Sequence, residues 1–398
     1  MKAICVINTS GNYGGAEKRF VSLFSHIDRE RDDFRLIINR SLYDAMVEKG
    51  VLTTQNRVVI ISIPFDKSSY SKAENELTKT RSTKGSGNAF RNILGRYKYF
   101  LKTILQWLSF SKQLVSILKK NRITTIFTIW QGGIWGRIWY KILGVKIVYG
   151  ANSNLDWHLE KNLLNRFNSQ YRILRDADHI DFLSSGLIDE LYNLLPAEDF
   201  PKRYSVSPCS FISYNNYYPE YPKDDSVIFM GRLVALKNPI LFLKAVEIFN
   251  GMYQQPEKIK FIVLGTGPFE DEMKEFINKN SLTNVFMEGK VSNPEKYLQK
   301  SKVFVTIQQT ENYPSQALME AMACENAIIA SDVGETRKIV TETEGVLVRL
   351  NADKIAQALI KLLADNDTLL HKGQSAREKV MQEHSIEKFT DYLLELMS

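Results

Sequence analysis

Short apolar runs alternate with stretches of helical period along almost the whole chain, and this alternation restricts the fold more than any other feature. The runs at 2–7, 34–38, 58–63, 125–128, 146–150 and 180–183 read as buried strands. Helical patterns at 19–26, 134–143, 159–175 and 186–193 fall between them. Strands buried on both faces and separated by helices predict a parallel sheet covered on both sides. The rhythm pauses at "SPCSFISYNNYYPEYPKDD", residues 207–225, where prolines, asparagines and tyrosines give no period. It then restarts. Strands are expected at 227–230, 260–264, 285–287, 303–307, 327–330 and 346–348, with helices at 240–252, 270–280, 294–300, 315–324 and 354–363.

Two α/β domains of the doubly wound kind follow from this order. A length of 398 residues also exceeds what a single small core accommodates. The expected division is 1–212, with a basic insertion at about 65–122, then 213–383. A C-terminal helix at 384–398 is expected to cross back to the first domain. Ligands of such sheets sit beyond the carboxyl ends of the strands, so the expected site is a cleft between the two domains.

Several classes are excluded on composition. Hydrophobic residues make up 44% and charged residues 24%, as in a globular chain. Cys5, Cys209 and Cys324 are far apart and form no CxxC, which points to a reducing compartment without structural zinc. The opening "MKAICVINTSGNYGG" reads as a strand and turn rather than a secretory leader. The apolar stretch 127–151 is interrupted by Gly132-Gly133, Arg137 and Lys141, so no membrane span is read there. The five histidines have no ligand spacing. The pairs Asp176/Asp178 and Asp365/Asp367 sit at helix ends, where capping explains them better than metal.

The net charge of +7 is unevenly placed. Between Lys67 and Arg122 there are 13 Lys and Arg against Glu74 and Glu76, a local charge of +11. Such a patch points to an anionic surface, with a solvated helix over the first domain as the plain alternative.

Four stretches carry chemistry. "TSGNYGGAEK", 9–18, is a glycine turn leading into a helix, where N–H groups attract an anion; a tight turn is the alternative. "IFMGRLVALKNPI", 228–240, brings Arg232 and Lys237 to a strand's carboxyl end, with Asn238 and Pro239 as N-cap and first helical residue. A guanidinium and an ammonium there suit a diphosphate. "FIVLGTGPFEDEM", 261–273, lacks the third glycine of a dinucleotide fingerprint, because Glu270 stands there. "ENYPSQALMEAMACENAIIASDVGE", 311–335, places Glu320 inside an apolar helix and Glu311 just ahead of it. A carboxylate accepts two hydrogen bonds side by side, which matches a ribose diol; surface carboxylates are the alternative.

Together these stretches resemble the retaining GT-B glycosyltransferases of family 4. The resemblance is strong over about 225–345 and weak over 65–160. It implies an α/β GT-B fold of two doubly wound Rossmann-like domains facing a cleft. It also implies a metal-independent transferase without a cofactor, taking sugar from a nucleoside diphosphate to a saccharide or lipid-linked acceptor hydroxyl. The expected setting is cell-surface polysaccharide or glycolipid assembly, in the cytoplasm and against the inner face of the plasma membrane through residues 67–122.

The same resemblance assigns the residues. Arg232, Lys237, Glu311 and Asn312 are the catalytic candidates. Gly14, Gly15, Gly231, Gly265, Ser315, Gln316, Ala317 and Glu320 are on the donor side. Glu17, Asn152 and His158 are on the acceptor side. No metal ligands are expected.

Three departures stand out. Eight residues, not seven, separate Glu311 from Glu320, so either Glu311 or Asn312 fills the first acidic position. Asn152 stands where the family often has histidine. Glu325 replaces a glycine, with Asn326 expected to take the left-handed cap. A GT-B nucleotide-sugar epimerase and a basic nucleic-acid-binding protein are the rival classes. No nucleic-acid module is recognised, and none is expected as a partner.

Overall fold

The computed structural model describes residues 1–8, 15–52, 56–63, 89–152, 169–195, 200–212, 214–313 and 315–398. Gly14, His158 and the basic stretch 67–88 lie outside these. The chain forms two compact units: Met1–Ser207 with Thr390–Ser398, and Pro208–Phe389.

In the first unit the described strands form one parallel sheet: β1 (Lys2–Ile7), β2 (Phe34–Asn39), β3 (Val58–Ile61), β4 (Thr125–Ile129), β5 (Lys146–Ala151), β6 (His179–Phe182) and β7 (Tyr204–Val206). Their order is β3-β2-β1-β4-β5-β6-β7. The order reverses between β1 and β4, which pair in register from Lys2 with Thr125 to Val6 with Ile129. That reversal opens the crevice where doubly wound sheets bind ligands. The core consists of Ala3, Cys5, Ile126, Ile147 and Tyr149 under the helices. Helix Ala89–Lys120 contributes Phe110, Leu114 and Leu118 at 3–4 spacing. Trp107, Phe110 and Trp135 meet edge-to-face, with centroids 5.0–5.9 Å apart. These T-shaped contacts pin the helix to its neighbour Trp130–Ile142.

The second unit repeats the plan with β8 (Asp224–Met230), β9 (Lys260–Leu264), β10 (Val285–Gly289), β11 (Ser301–Thr306), β12 (Ala327–Ser331) and β13 (Gly345–Val348). The order β10-β9-β8-β11-β12-β13 places the reversal between β8 and β11. Phe242, Val246 and Phe249 of helix Pro239–Met252 cover Val227, Phe229 and Phe261.

Helix Arg40–Glu48, helix Asn366–Glu383 and strand β7 were not expected from the sequence. Helix Asn366–Glu383 buries Leu369, Gly373, Ala376 and Val380. Glycine and alanine in that stripe hide its apolar period. Strand β7 is three residues long and half polar. Helix Ile386–Leu396 brings the chain back to the first unit from Thr390, where Lys146 Nζ donates to Leu396 O at 3.1 Å. All three cysteines are buried, and none forms a disulfide. Among the described residues no helix is long and apolar enough to cross a membrane.

Candidate functional site

The second unit builds its site from turns stacked backbone on backbone. β8 ends at Met230, and Gly231 turns the chain with φ +152°. Gly231 N donates to Leu264 O at 2.9 Å, and Gly265 N donates to Gly289 O at 2.7 Å. A Cβ on Gly265 would stand 1.9 Å from Gly231 O, and φ there is +133°. Gly265 therefore serves close approach of two loops.

Arg232 is exposed and Lys237 is half-buried. The lysine stem lies over Gly231, its Cε 3.8 Å from the place a Cβ would occupy. Burial pulls the Lys237 ammonium down to about 8. Among the described residues neither cation forms an ion pair, whereas Arg337 pairs with Asp332, the residue after β12. Asn238 adopts the left-handed conformation at φ +54°. It sits at the N-cap ahead of Pro239, but its side chain makes no cap bond. Instead its Nδ2 donates to Ile307 O at 2.7 Å. Gln309 N donates to Leu236 O at 3.0 Å, and Gln309 Nε2 to Ala235 O at 3.1 Å. The cationic turn is thus tied to the segment that leads from β11 into Glu311.

Glu311 and Asn312 separate into different roles. Asn312 is 1% exposed and saturated. Its Oδ1 accepts from Thr306 Oγ1 at 2.9 Å, and its Nδ2 faces Ser331 O, Ser331 Oγ and Thr336 Oγ1 at 2.9–3.1 Å. It braces the loop from inside. Glu311 is half-buried. It accepts from Tyr313 N and Glu335 N, both at 2.8 Å. Burial raises its pKa, and these backbone donors work against the rise.

Ser315 caps helix Gln316–Ala323 by accepting from Leu318 N at 3.4 Å. Gln316 Nε2 donates to Phe211 O at 3.1 Å, and Ala317 packs on the core beneath. Glu320 is 8% exposed. Tyr217 hydrogen-bonds it, and burial beside this carboxylate pushes the phenol well up. The surface-carboxylate alternative for Glu320 therefore fails.

One local expectation is corrected. Glu325 itself takes the left-handed position at φ +58°. Its carboxylate is held by Tyr221 and faces Arg377 at 3.9 Å. Asn326 is fully buried, and its Nδ2 donates to Leu298 O and Ser301 O. The strain at Glu325 is offset by partners distant in sequence, which no local pattern shows.

In the first unit Gly15 opens helix Gly15–Glu30 at the end of β1. Glu17 is buried and accepts from Asn8 Nδ2. Asn152 Oδ1 accepts from the Arg19 guanidinium, and its Nδ2 donates to Gly150 O at 3.0 Å. Asp181, 3% exposed, accepts from Ser207 Oγ and from Tyr392 OH at 2.7 Å. Burial raises Asp181 to about 6; Tyr392, Ser207 and Arg19 oppose the rise. Arg19, Asp181, Tyr217 and Gln309 were missed from sequence. An acid inside the apolar run "HIDF" was the available signal for Asp181. Among the described residues no group of three or more His, Cys, Asp and Glu could hold a metal.

This arrangement can be set beside known proteins. Residues 214–379 match the family of glycosyl transferases group 1. The second unit, with its cationic turn and both glutamates, lies almost entirely within that match. The chain is 30% identical over 209 residues to the Campylobacter jejuni GalNAc-alpha-(1->4)-GalNAc-alpha-(1->3)-diNAcBac-PP-undecaprenol alpha-1,4-N-acetyl-D-galactosaminyltransferase, covering 51% of this chain and 56% of that protein. It is 24% identical over 235 residues to the poly(ribitol-phosphate) alpha-N-acetylglucosaminyltransferase of Staphylococcus aureus, covering 57% and 43%. The alignments thus span about half the length of these curated relatives. The fold is similar to that of Anabaena HepE solved with UDP and glucose (TM-score 0.70, 14% identity, 99% and 98% of the two chains). It is equally similar to S. aureus TarM (TM-score 0.69, 16% identity, 100% and 99%). The fold is therefore GT-B, with two Rossmann-like α/β units, and the resemblance to group 1 glycosyltransferases holds.

Proposed function

We propose that the protein is a retaining glycosyltransferase that moves a sugar from a nucleoside diphosphate to a hydroxyl of a saccharide or lipid-linked acceptor. The observation that carries this is the pair Arg232 and Lys237, which end β8 at the strand reversal with no ion pair among the described residues. A half-buried ammonium held near 8 by burial is a costly arrangement unless an anion completes it. A diphosphate is such an anion, and the curated relatives above are named as transferases of acetamido sugars.

The chemistry follows from charge. As the bond from the anomeric carbon to the β-phosphate oxygen breaks, negative charge gathers on the diphosphate. Arg232 can take two oxygens side by side and Lys237 a third. One preorganised contact of this kind contributes about 3–4 kcal/mol in the transition state. The acceptor oxygen forms its bond to the anomeric carbon on the same face. Its proton passes to the departing phosphate oxygen, so no protein base, metal or cofactor is required.

Glu320 holds the ribose diol with Tyr217 behind it, and Glu311 rather than saturated Asn312 reaches the donor sugar. Gly231, Gly265 and Ser315 shape the donor pocket, while Gly15 and Glu17 line the acceptor side. Asn152 serves that side through Arg19.

Cell-surface polysaccharide or glycolipid assembly, on the cytoplasmic side, is the setting we propose. Leu105 and Leu108 are 66% and 60% exposed on helix Ala89–Lys120, which also carries exposed Lys112, Lys119 and Lys120. Exposed leucines and lysines on one helix suit an anionic bilayer, each cation adding about 1 kcal/mol. Flotation with anionic vesicles at low salt tests this; protein left in solution removes it. The transferase reading is tested by screening UDP- and GDP-sugars for a rise in Tm, then assaying transfer to octyl glycosides. No stabilisation by any of them, and no transfer, would sink it.

A further inference from the structure

We infer that Trp130 and Gln131, at the carboxyl end of β4, hold the acceptor of the proposed transfer, through a hydroxylated, uncharged ring. The inference rests on the transferase reading and names residues that neither the sequence patterns nor the family match assigned.

Three observations meet at this point. Trp130 is left-handed, φ +53°, a conformation that bulky side chains avoid. Its indole Nε1 is buried without a hydrogen-bond partner, and so is Oε1 of its neighbour Gln131. The pair lies where the sheet order reverses, since Trp130 bridges Ile7 at the end of β1. The backbone has little freedom to relieve the strain. A Cβ on the next residue, Gly132, would meet Thr128 Oγ1 at 2.6 Å and Cys5 O at 3.1 Å, so the helix start is pressed onto the strands.

Buried polar atoms are nearly always satisfied in folded proteins. A strained residue and two orphaned atoms, side by side at a binding crevice, mark a place completed by a ligand.

The chemistry of the pair defines the ligand. One atom donates and the other accepts. A hydroxyl does both, so a diol on a sugar ring can complete the two together. The indole face offers an apolar surface for the C–H side of the same ring. The charged groups of this end have partners within the chain: Glu17 meets Asn8, Arg19 meets Asn152, and Asp181 meets Ser207 and Tyr392. The diphosphate has its cations in the other unit. The first unit is left with the uncharged sugar of the acceptor.

The test uses the full chain with UDP-hexoses as donors and octyl hexosides as acceptors. Trp130→Phe keeps the ring and removes the donor N–H; Gln131→Leu removes the acceptor oxygen. Each is expected to raise the KM for the octyl hexoside about 10-fold, while the KM for the UDP-hexose and the Tm rise on adding UDP stay as in the wild type. Gln131→Glu keeps an acceptor oxygen and should restore most of the affinity. Quenching of tryptophan emission by the octyl hexoside should weaken in Trp130→Phe. An unchanged acceptor KM in both Trp130→Phe and Gln131→Leu overturns the inference while leaving the transferase reading intact. Should Trp130→Phe lower the Tm of the apoprotein, Gln131→Leu and Gln131→Glu decide. Absence of transfer by the wild type from every UDP-hexose sinks the transferase reading and the inference with it.

Discussion

The two strand reversals of this molecule have the same topology and opposite chemistry. At β8/β11 two cations stand without acidic partners among the described residues, while the Asn312 amide beside them is saturated by the chain. At β1/β4 Glu17, Arg19 and Asp181 each meet a partner in the chain, and the neutral Trp130 Nε1 and Gln131 Oε1 are left over. Topology chooses where a ligand goes. Which groups the chain leaves unsatisfied chooses what kind of ligand it is. On the proposals made above, the first end takes an anion and the second a hydroxylated ring.

The sharpest test of that contrast is Arg232→Ala. Turnover should fall by about 10²–10³ if the guanidinium acts on the leaving diphosphate, with the Tm moving by no more than about 1–2 °C because the side chain is exposed. A near-normal rate would break the contrast at its anionic end.

Next is Asn312→Leu. It would strand Thr306 Oγ1 and remove the amide donor shared by Ser331 and Thr336, so we expect a loss of about 1–3 kcal/mol in urea unfolding. Should stability hold while turnover collapses, Asn312 touches the donor after all, and Glu311 takes the bracing role.

A smaller effect is expected from pH. A bound diphosphate favours the charged Lys237, which raises its pKa on binding. UDP affinity should therefore be level below about 8 and decline by up to about 10-fold per pH unit above it. Lys237→Met should bind more weakly and show no such decline. An unchanged slope in that variant would assign the titration elsewhere.

The smallest effect belongs to Asp181. Its folded pKa, about 6, lies above the ordinary carboxylate value. The stability it contributes is present below about 4 and is lost as pH rises through about 6. A Tm that drops by a few degrees over that window in the wild type, and stays flat in Asp181→Asn, would confirm that burial outweighs the Ser207 and Tyr392 donors and favours the neutral acid. A flat wild-type curve would show that Asp181 stays charged throughout.

Much of this was legible before any coordinates. The apolar runs at 2–7 and 260–264 coincide with β1 and β9, and the basic, aromatic helix spans Ala89–Lys120 as read. Burial on both faces forces parallel strands to be apolar throughout, and that pattern survives in one dimension. Arg232, Lys237 and Glu320 could be singled out because a cation or acid beside an apolar run departs from it. Trp130 gave no such signal, since an aromatic at a strand end fits the pattern.

The sequence by itself determined the order of elements, the doubling of the fold and the turns that face the crevices. These depend on the period of side chains and on local conformational preference. Tertiary structure decided which partner each group met. Glu311 finds Glu335 N, Asn312 finds Ser331, Asp181 finds Tyr392 at the far end of the chain, and Glu325 rather than Asn326 bends backward. The reason is that a hydrogen bond needs a partner within about 3 Å, and which residue arrives there is set by the folded path of the chain.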